Sequence, residues 1–194
     1  MDEFLAHGSL RRINIIMSYL AYKFRIYPTK QQERQFRKQL GCNRWVWNHM
    51  LGKNNERYKV EKKFIFYNDM SGMLPELKED FEWLQESNSQ TLQTILKSLD
   101  ASMKHYFKNK ETVGFPKFKS KHSVKQGFAV PQHFSLEEKT FKIPKIGNIR
   151  YKKHREIYGT PKRLHITRDI NDWFVSVVCE VPDSPELLEL AGLS

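Results

Sequence analysis

The sequence predicts an α+β protein in which a small antiparallel β-barrel is interrupted by a helical insertion containing a helix-turn-helix-like hairpin. Three observations predict it. Apolar residues alternate along Tyr19–Tyr27, the pattern of a half-buried strand. Between residues 29 and 113 they recur every three or four positions, the pattern of helices with one buried face. From Gly114 onward short apolar runs are broken by Gly127, Pro131, Pro144, Gly147, Gly159 and Pro161, as in several short antiparallel strands joined by turns.

Residues 1–17 read as an extension that need not be ordered, and Met17 is a candidate start. Residues 18–28 form the first barrel strand, with Leu20, Tyr22, Phe24 and Ile26 inward and Lys23 and Arg25 outward. Pro28 ends it, and Thr29 caps the next helix. Helices are predicted over Lys30–Leu40 and from Asn43 to about Lys59, with Gly41 as the positive-φ residue between them. That hairpin, residues 29–60, has the outline of a helix-turn-helix, which an ordinary αα-hairpin shares. Pro75 sits where it would start or kink a helix, and Ser89 caps the long one over Gln90–Lys108. Strands follow at Gly127–Val130, Thr140–Ile143, Asn148–Tyr151, Arg163–Arg168 and Trp173–Val181, so residues 114–181 are the basic part of the barrel. Residues 182–194 form an acidic tail.

The formal charge is +11 and unevenly placed. Gly114–Arg168 holds 14 Lys/Arg against 3 acidic residues, and Ser18–Lys63 holds 12 against 3. Two basic regions of this kind point to a polyanion. Within the first, Gly114-Phe115-Pro116-Lys117-Phe118-Lys119-Ser120-Lys121 alternates aromatic and cationic residues. Rings that stack on bases and ammonium groups that meet phosphates belong to a nucleic-acid contact; a loop with two buried Phe anchors would read the same way.

Other classes find little support. Cys42 and Cys179 stand far apart with no C-x-x-C, so they read as small buried apolar groups in a reducing compartment. No apolar run approaches the roughly 20 residues that span a bilayer, and no secretory cleavage site is visible. There is no P-loop, G-x-S-x-G or H-E-x-x-H, and no converging carboxylates to hold the divalent ions of a nuclease. Catalytic residues, metal ligands and cofactors are therefore assigned as none.

Six motifs in order resemble the TnpB (OrfB) proteins of bacterial and archaeal insertion sequences, relatives of the type V CRISPR nucleases. They are Tyr22-Lys23-Phe24-Arg25-Ile26-Tyr27-Pro28-Thr29, Gly41-Cys42-Asn43-Arg44-Trp45-Val46-Trp47-Asn48, Leu92-Gln93 opening a helix that ends Tyr106-Phe107, Gly114-Phe115-Pro116-Lys117-Phe118-Lys119, Ile143-Pro144-Lys145-Ile146-Gly147 and Trp173-Phe174-Val175-Ser176-Val177. The resemblance implies a wedge-like barrel with a helical recognition insertion. It also implies binding of a guide RNA from the transposon end and reading of a short target-DNA motif. By position, Tyr67, Ser89, Gln90 and Gln93 resemble the residues that read that motif. The family's RuvC-like nuclease domain is expected soon after Val181, where this chain gives Pro182-Asp183-Ser184-Pro185 and runs to Ser194. The expectation is an N-terminal half without that domain or the zinc ribbon, in a prokaryotic cytoplasm, associated with the nucleoid and not with membrane.

The residues expected to meet phosphates are Arg34, Arg37, Arg44 and Arg57 on the helices, then Lys117, Lys119, Lys121, Lys125, Arg150, Lys152, Lys153, Arg155 and Arg163. Two competing readings stand beside this one. A remnant completed by a separately encoded nuclease half would expose an apolar surface near Trp173–Val181. A repressor would bind duplex DNA through the 29–60 hairpin.

Overall fold

The computed structural model describes residues 17–182. Its elements are β1 (Met17–Tyr27), α1 (Lys30–Glu61), α2 (Tyr67–Gly72), α3 (Leu74–Asp80), a 3-10 turn (Glu82–Glu86), α4 (Ser89–Lys108), β2 (Lys125–Val130), β3 (Ser135–Leu136), β4 (Thr140–Ile143), β5 (Gly147–Tyr151), β6 (Thr160–Asp169) and β7 (Asp172–Pro182). The fold is α+β. The expectations for the N-terminal extension and the acidic tail lie outside the described residues, apart from Met17 and Pro182 at the ends of β1 and β7.

All seven strands join one antiparallel sheet in the order β2-β6-β7-β1-β5-β4-β3. The alternation of β1 survives intact: Tyr22, Phe24 and Ile26 are buried, while Lys23 and Arg25 are exposed. β1 runs against β7 from Met17↔Pro182 to Ile26↔Trp173 and touches β5 at Ile26↔Tyr151. All four helices lie between β1 and the remaining strands, as the change of periodicity predicts.

A closed barrel is not what forms. β2 and β3 stand at opposite ends of the hydrogen-bonded order and do not pair. The free edge of β2 is covered by a helix instead: Thr91 of α4 donates its hydroxyl to the Ala129 carbonyl at 3.0 Å. An edge satisfied in this way needs no strand beside it. One core nonetheless runs across the sheet, taking in Phe128 of β2, Trp173 of β7, Phe24 of β1 and Phe141 of β4, with Phe36 and Leu40 of α1 closing over it.

The expected hairpin is also corrected. Residues 30–61 form a single helix, and Gly41 lies inside it. Glycine costs a helix interior about 1 kcal/mol relative to alanine. Here burial on both sides of Gly41 outweighs that: Phe36 and Leu40 enter the sheet core, and Val46, Met50 and Leu51 enter a second core with α2–α4. Gln39 and Asn43 bridge the glycine with a side-chain hydrogen bond of 2.9 Å. The N-terminal expectation holds, since Thr29 and Gln32 form a reciprocal capping box. At α4 the cap is one residue earlier than expected, because Asn88, not Ser89, accepts from the Gln90 and Thr91 N–H groups.

The second core holds Met70, Leu74, Leu77, Leu84, Leu92, Leu96, Leu99 and Met103. Lys145, at positive φ in the β4–β5 turn, ties the two halves together by donating to the Gln85 and Ser87 carbonyls at 2.6 and 3.1 Å.

Candidate nucleic-acid interface

The Gly114–Lys121 stretch is extended because α1 holds it. The Trp47 indole N–H donates to the Lys117 carbonyl at 3.0 Å. Asn48 takes both backbone groups of Lys119, at 3.0 and 2.7 Å. The two phenylalanines then part company. Phe115 packs between Tyr106 and Phe64, at ring separations of 5.2 and 5.9 Å, and anchors the segment. Phe118 is 59% exposed.

Phe118 forms a wall of a groove of about 570 Å³ between α1 and this segment. Arg44, Lys119, His122 and Lys125 line the same groove, and Leu40 and Ile95 contribute apolar surface. No acidic side chain lines it. The Lys119 ammonium sits over the Trp47 ring, 4.1 Å from its centroid, and desolvation there lowers its pKa from the ordinary lysine value. Three expected cations, Arg44, Lys119 and Lys125, thus line one groove with the exposed Phe118, and the Lys119 ammonium rests on Trp47.

A second basic group lies beyond β5. Lys152, Lys153 and Arg155 line a surface concavity of about 580 Å³ with Lys139 and His154. Lys153 is committed to Glu156 at 2.6 Å, and that hydrogen bond raises its pKa. The Arg155 guanidinium stands 5.3 Å from the Tyr22 ring centroid. Arg150 is exposed on β5, opposite Tyr27. Lys125 on β2 is four strand steps from β5, about 19 Å along the sheet at ~4.8 Å per step. The two basic groups are therefore separate patches.

The other expected residues are scattered. Arg34 and Lys117 are exposed, and so is Lys121, whose carbonyl accepts from Gln126. Arg37 and Arg57 are paired with Glu33 and Glu61 one turn away on α1. Arg163 is exposed on β6 opposite Val178. Tyr67 starts α2, where its N–H donates to Asp100 and its ring lies under the Lys97 ammonium at 5.3 Å. Lys97 is one turn along α4 from Gln93, so Tyr67 and Gln93 border one helical face. Ser89 accepts from Lys78, and Gln90 is half-buried. Along β7, Trp173, Val175, Val177, Cys179 and Val181 are core, while Phe174 and Val178 are half-buried on the outer face.

Asn43, Asn48 and His122 were missed. A polar residue at four-residue spacing from another, on a face otherwise apolar, is the signal that Gln39 and Asn43 carry. Among the described residues no three His, Cys, Asp or Glu side chains are grouped to hold a metal ion, and no helix is long and apolar enough to cross a membrane.

A family model described as a helix-turn-helix domain, that of OrfB proteins of the IS605 type, matches residues 17–63, which are β1, α1 and the two residues after it. Over 164 residues the chain is 34% identical to an Escherichia coli (strain K12) protein named "Putative RNA-guided DNA endonuclease InsQ", a match covering 82% of this chain and 40% of the relative. Over 172 residues it is 26% identical to a Streptomyces pristinaespiralis protein named "Putative RNA-guided DNA endonuclease", covering 85% and 42%. The chain spans about two fifths of the length of the curated relatives it matches.

Proposed function

The chain belongs to the TnpB (OrfB) family of mobile-element proteins, and we propose that within it these residues hold a guide RNA and help to read target DNA. The observation that carries the proposal is the α1 groove. Arg44, Lys119 and Lys125 line it together with the exposed Phe118, with no acidic side chain among the lining residues. Cations beside an accessible aromatic face suit a flexible, phosphate-rich strand whose bases are free to stack. The concavity at Lys152 and Arg155, which Glu138 and Glu156 also line and where Glu156 holds Lys153, offers a second contact for phosphate. The face bordered by Tyr67, Gln93 and Lys97 is the candidate for contact with a duplex motif. We assign binding to these residues.

The test is the salt dependence of binding. The full chain is titrated into labelled single-stranded RNA and duplex DNA at several salt concentrations, followed by fluorescence anisotropy. Neutralising about four phosphates gives a log–log slope near −3 on a single strand. Affinity that stays level between low and physiological salt would sink the proposal.

A further inference from the structure

One donor at this groove has no protein partner. Asn43 is 4% exposed, lines the groove, and its Nδ2 makes no hydrogen bond. The orientation of that amide is set by a relay from the helical layer. The Asn88 N–H donates to Gln39 Oε1 at 3.1 Å, which turns Gln39 Nε2 toward Asn43 Oδ1 at 2.9 Å and Ser87 Oγ at 2.5 Å. A backbone N–H can only donate, so Gln39 cannot be reversed without losing that bond. Asn43 in turn cannot be reversed without setting two amide nitrogens against each other. Nδ2 is left as a fixed donor, and a buried donor without an acceptor is costly enough to need an account.

The groove holds the remaining parts of a nucleotide site. Phe118 offers a ring face, and Arg44 and Lys125 offer cations. We propose that this groove takes one unstacked nucleotide. Its base lies against Phe118, an acceptor on the base edge receives the Asn43 Nδ2 hydrogen, and its flanking phosphates sit at Arg44 and Lys125. This rests on the nucleic-acid reading above and adds to it the selection of an unpaired position. A paired base in a duplex has both faces covered and its pairing-edge acceptors occupied, so it cannot lie against Phe118 and has only groove-edge acceptors to offer Asn43. Nδ2 is out of solvent contact before binding, so flanking side chains shift as the nucleotide enters.

The test uses the full chain and oligonucleotides carrying a single 2-aminopurine. The probe is placed in single-stranded RNA, in single-stranded DNA, in a blunt duplex and at a one-nucleotide bulge in the same duplex. The expected results are an emission change for the single strands or the bulge, and affinity for the bulged duplex at least fivefold above the blunt one. Phe118→Ala removes the emission change, and Asn43→Ala lowers bulge affinity about fivefold while blunt-duplex affinity stays level. Phe118 is exposed, so its variant keeps the test valid if Asn43→Ala lowers the melting temperature. A preference for the RNA or the DNA strand identifies the source of the nucleotide and supports the site either way. Equal affinity for blunt and bulged duplexes, unchanged in Phe118→Ala, would overturn the unpaired-nucleotide site while leaving salt-dependent binding standing. Absence of salt-dependent binding to every probe removes both readings.

Discussion

Asn48 holds the peptide of Lys119 by both its edges. Its Nδ2 donates to the Lys119 carbonyl at 3.0 Å and its Oδ1 accepts the Lys119 N–H at 2.7 Å. A side-chain amide used in this way substitutes for a neighbouring strand, and it fixes the segment that carries Phe118. Asn48→Ala removes both bonds from a solvent-accessible loop. A loss of about 1–2 kcal/mol is expected, since each such bond contributes on the order of 1 kcal/mol net. The measurements are a melting point lowered by roughly 2–8 °C and faster proteolysis between residues 114 and 125.

Lys145 joins the β4–β5 turn to the helical layer through the Gln85 and Ser87 carbonyls. Lys145→Met keeps most of the apolar stem of the side chain and removes the donor. Lys145→Gly additionally relaxes the positive φ of 65° at this residue. Both variants lose the tie, so both are expected to raise hydrogen exchange in the 82–88 segment. Lys145→Gly is expected to melt no lower than Lys145→Met, because glycine adopts that φ without strain. A Met variant with wild-type exchange in the segment would refute the tie.

Gly127 leaves room for its neighbour across the sheet. A Cβ there would stand 2.8 Å from the Ile166 carbonyl oxygen and 2.9 Å from the His165 ring. The backbone contact cannot be relieved by a rotamer change, so Gly127→Ala is expected to cost about 1–3 kcal/mol. The check is chemical denaturation at constant slope.

His165 itself supplies a pH dependence. The side chain is exposed on β6, yet partial desolvation of its ring, then the nearby Arg163 charge, lower its pKa below the ordinary value of 6.5, and solvent screening keeps the effect small. The unfolded chain therefore binds more protons than the folded one just below that value, and stability falls as the pH drops from 6.5 toward the folded pKa. The contribution of His165 is fully present above pH 6.5. Melting curves at pH 7.5 and 5.5 should show the loss, and His165→Gln should reduce it. Because burial also lowers the pKa of His49, part of the loss remains in that variant.

Cations that are free and cations that are paired should differ in their effect on nucleic-acid binding. Lys125→Gln removes a groove charge and should make the salt slope shallower by about 0.7–0.9. Arg57 is already engaged by Glu61 at 3.1 Å, so Arg57→Gln should change the slope by less than half as much. Equal changes in the two variants would count against the groove as the contact.

Local pattern carries most of the fold. The alternation from Leu20 to Ile26 and the apolar stripe from Leu92 to Met103 are each decided by burial on one face, and that periodicity is written in the residues themselves. What was not legible depends on partners distant in sequence. Gly41 reads as a helix end until Phe36 and Met50 are seen entering two different cores on either side of it. The sheet stays open, and the contact of α4 with the β2 edge through Thr91 is one that no feature of residues 125–136 announces. In the interface, composition singled out Lys119 and Lys125, and their convergence with Arg44 needed the hold of Trp47 and Asn48 on the intervening backbone. Phe115 and Phe118 are chemically identical in the sequence and take opposite roles because only the first meets Tyr106 and Phe64.

The pairing of β1 with β7 has a consequence for how the protein is made. Ile26 lies opposite Trp173, so β1 leaves the ribosome roughly 150 residues before its long partner is synthesised. At 5–20 residues per second that wait is about 8–30 s. Its other neighbour, β5, offers only the two paired residues Ile26 and Tyr27. Through that interval an alternating strand with the apolar side chains of Tyr22, Phe24 and Ile26 has no long edge to pair with, while α1–α4 can collapse onto one another using near contacts. Nascent chains halted before Asp172 should thus hold a folded helical layer beside an unpaired, association-prone β1. Chaperone dependence and self-association should both fall once β7 has emerged.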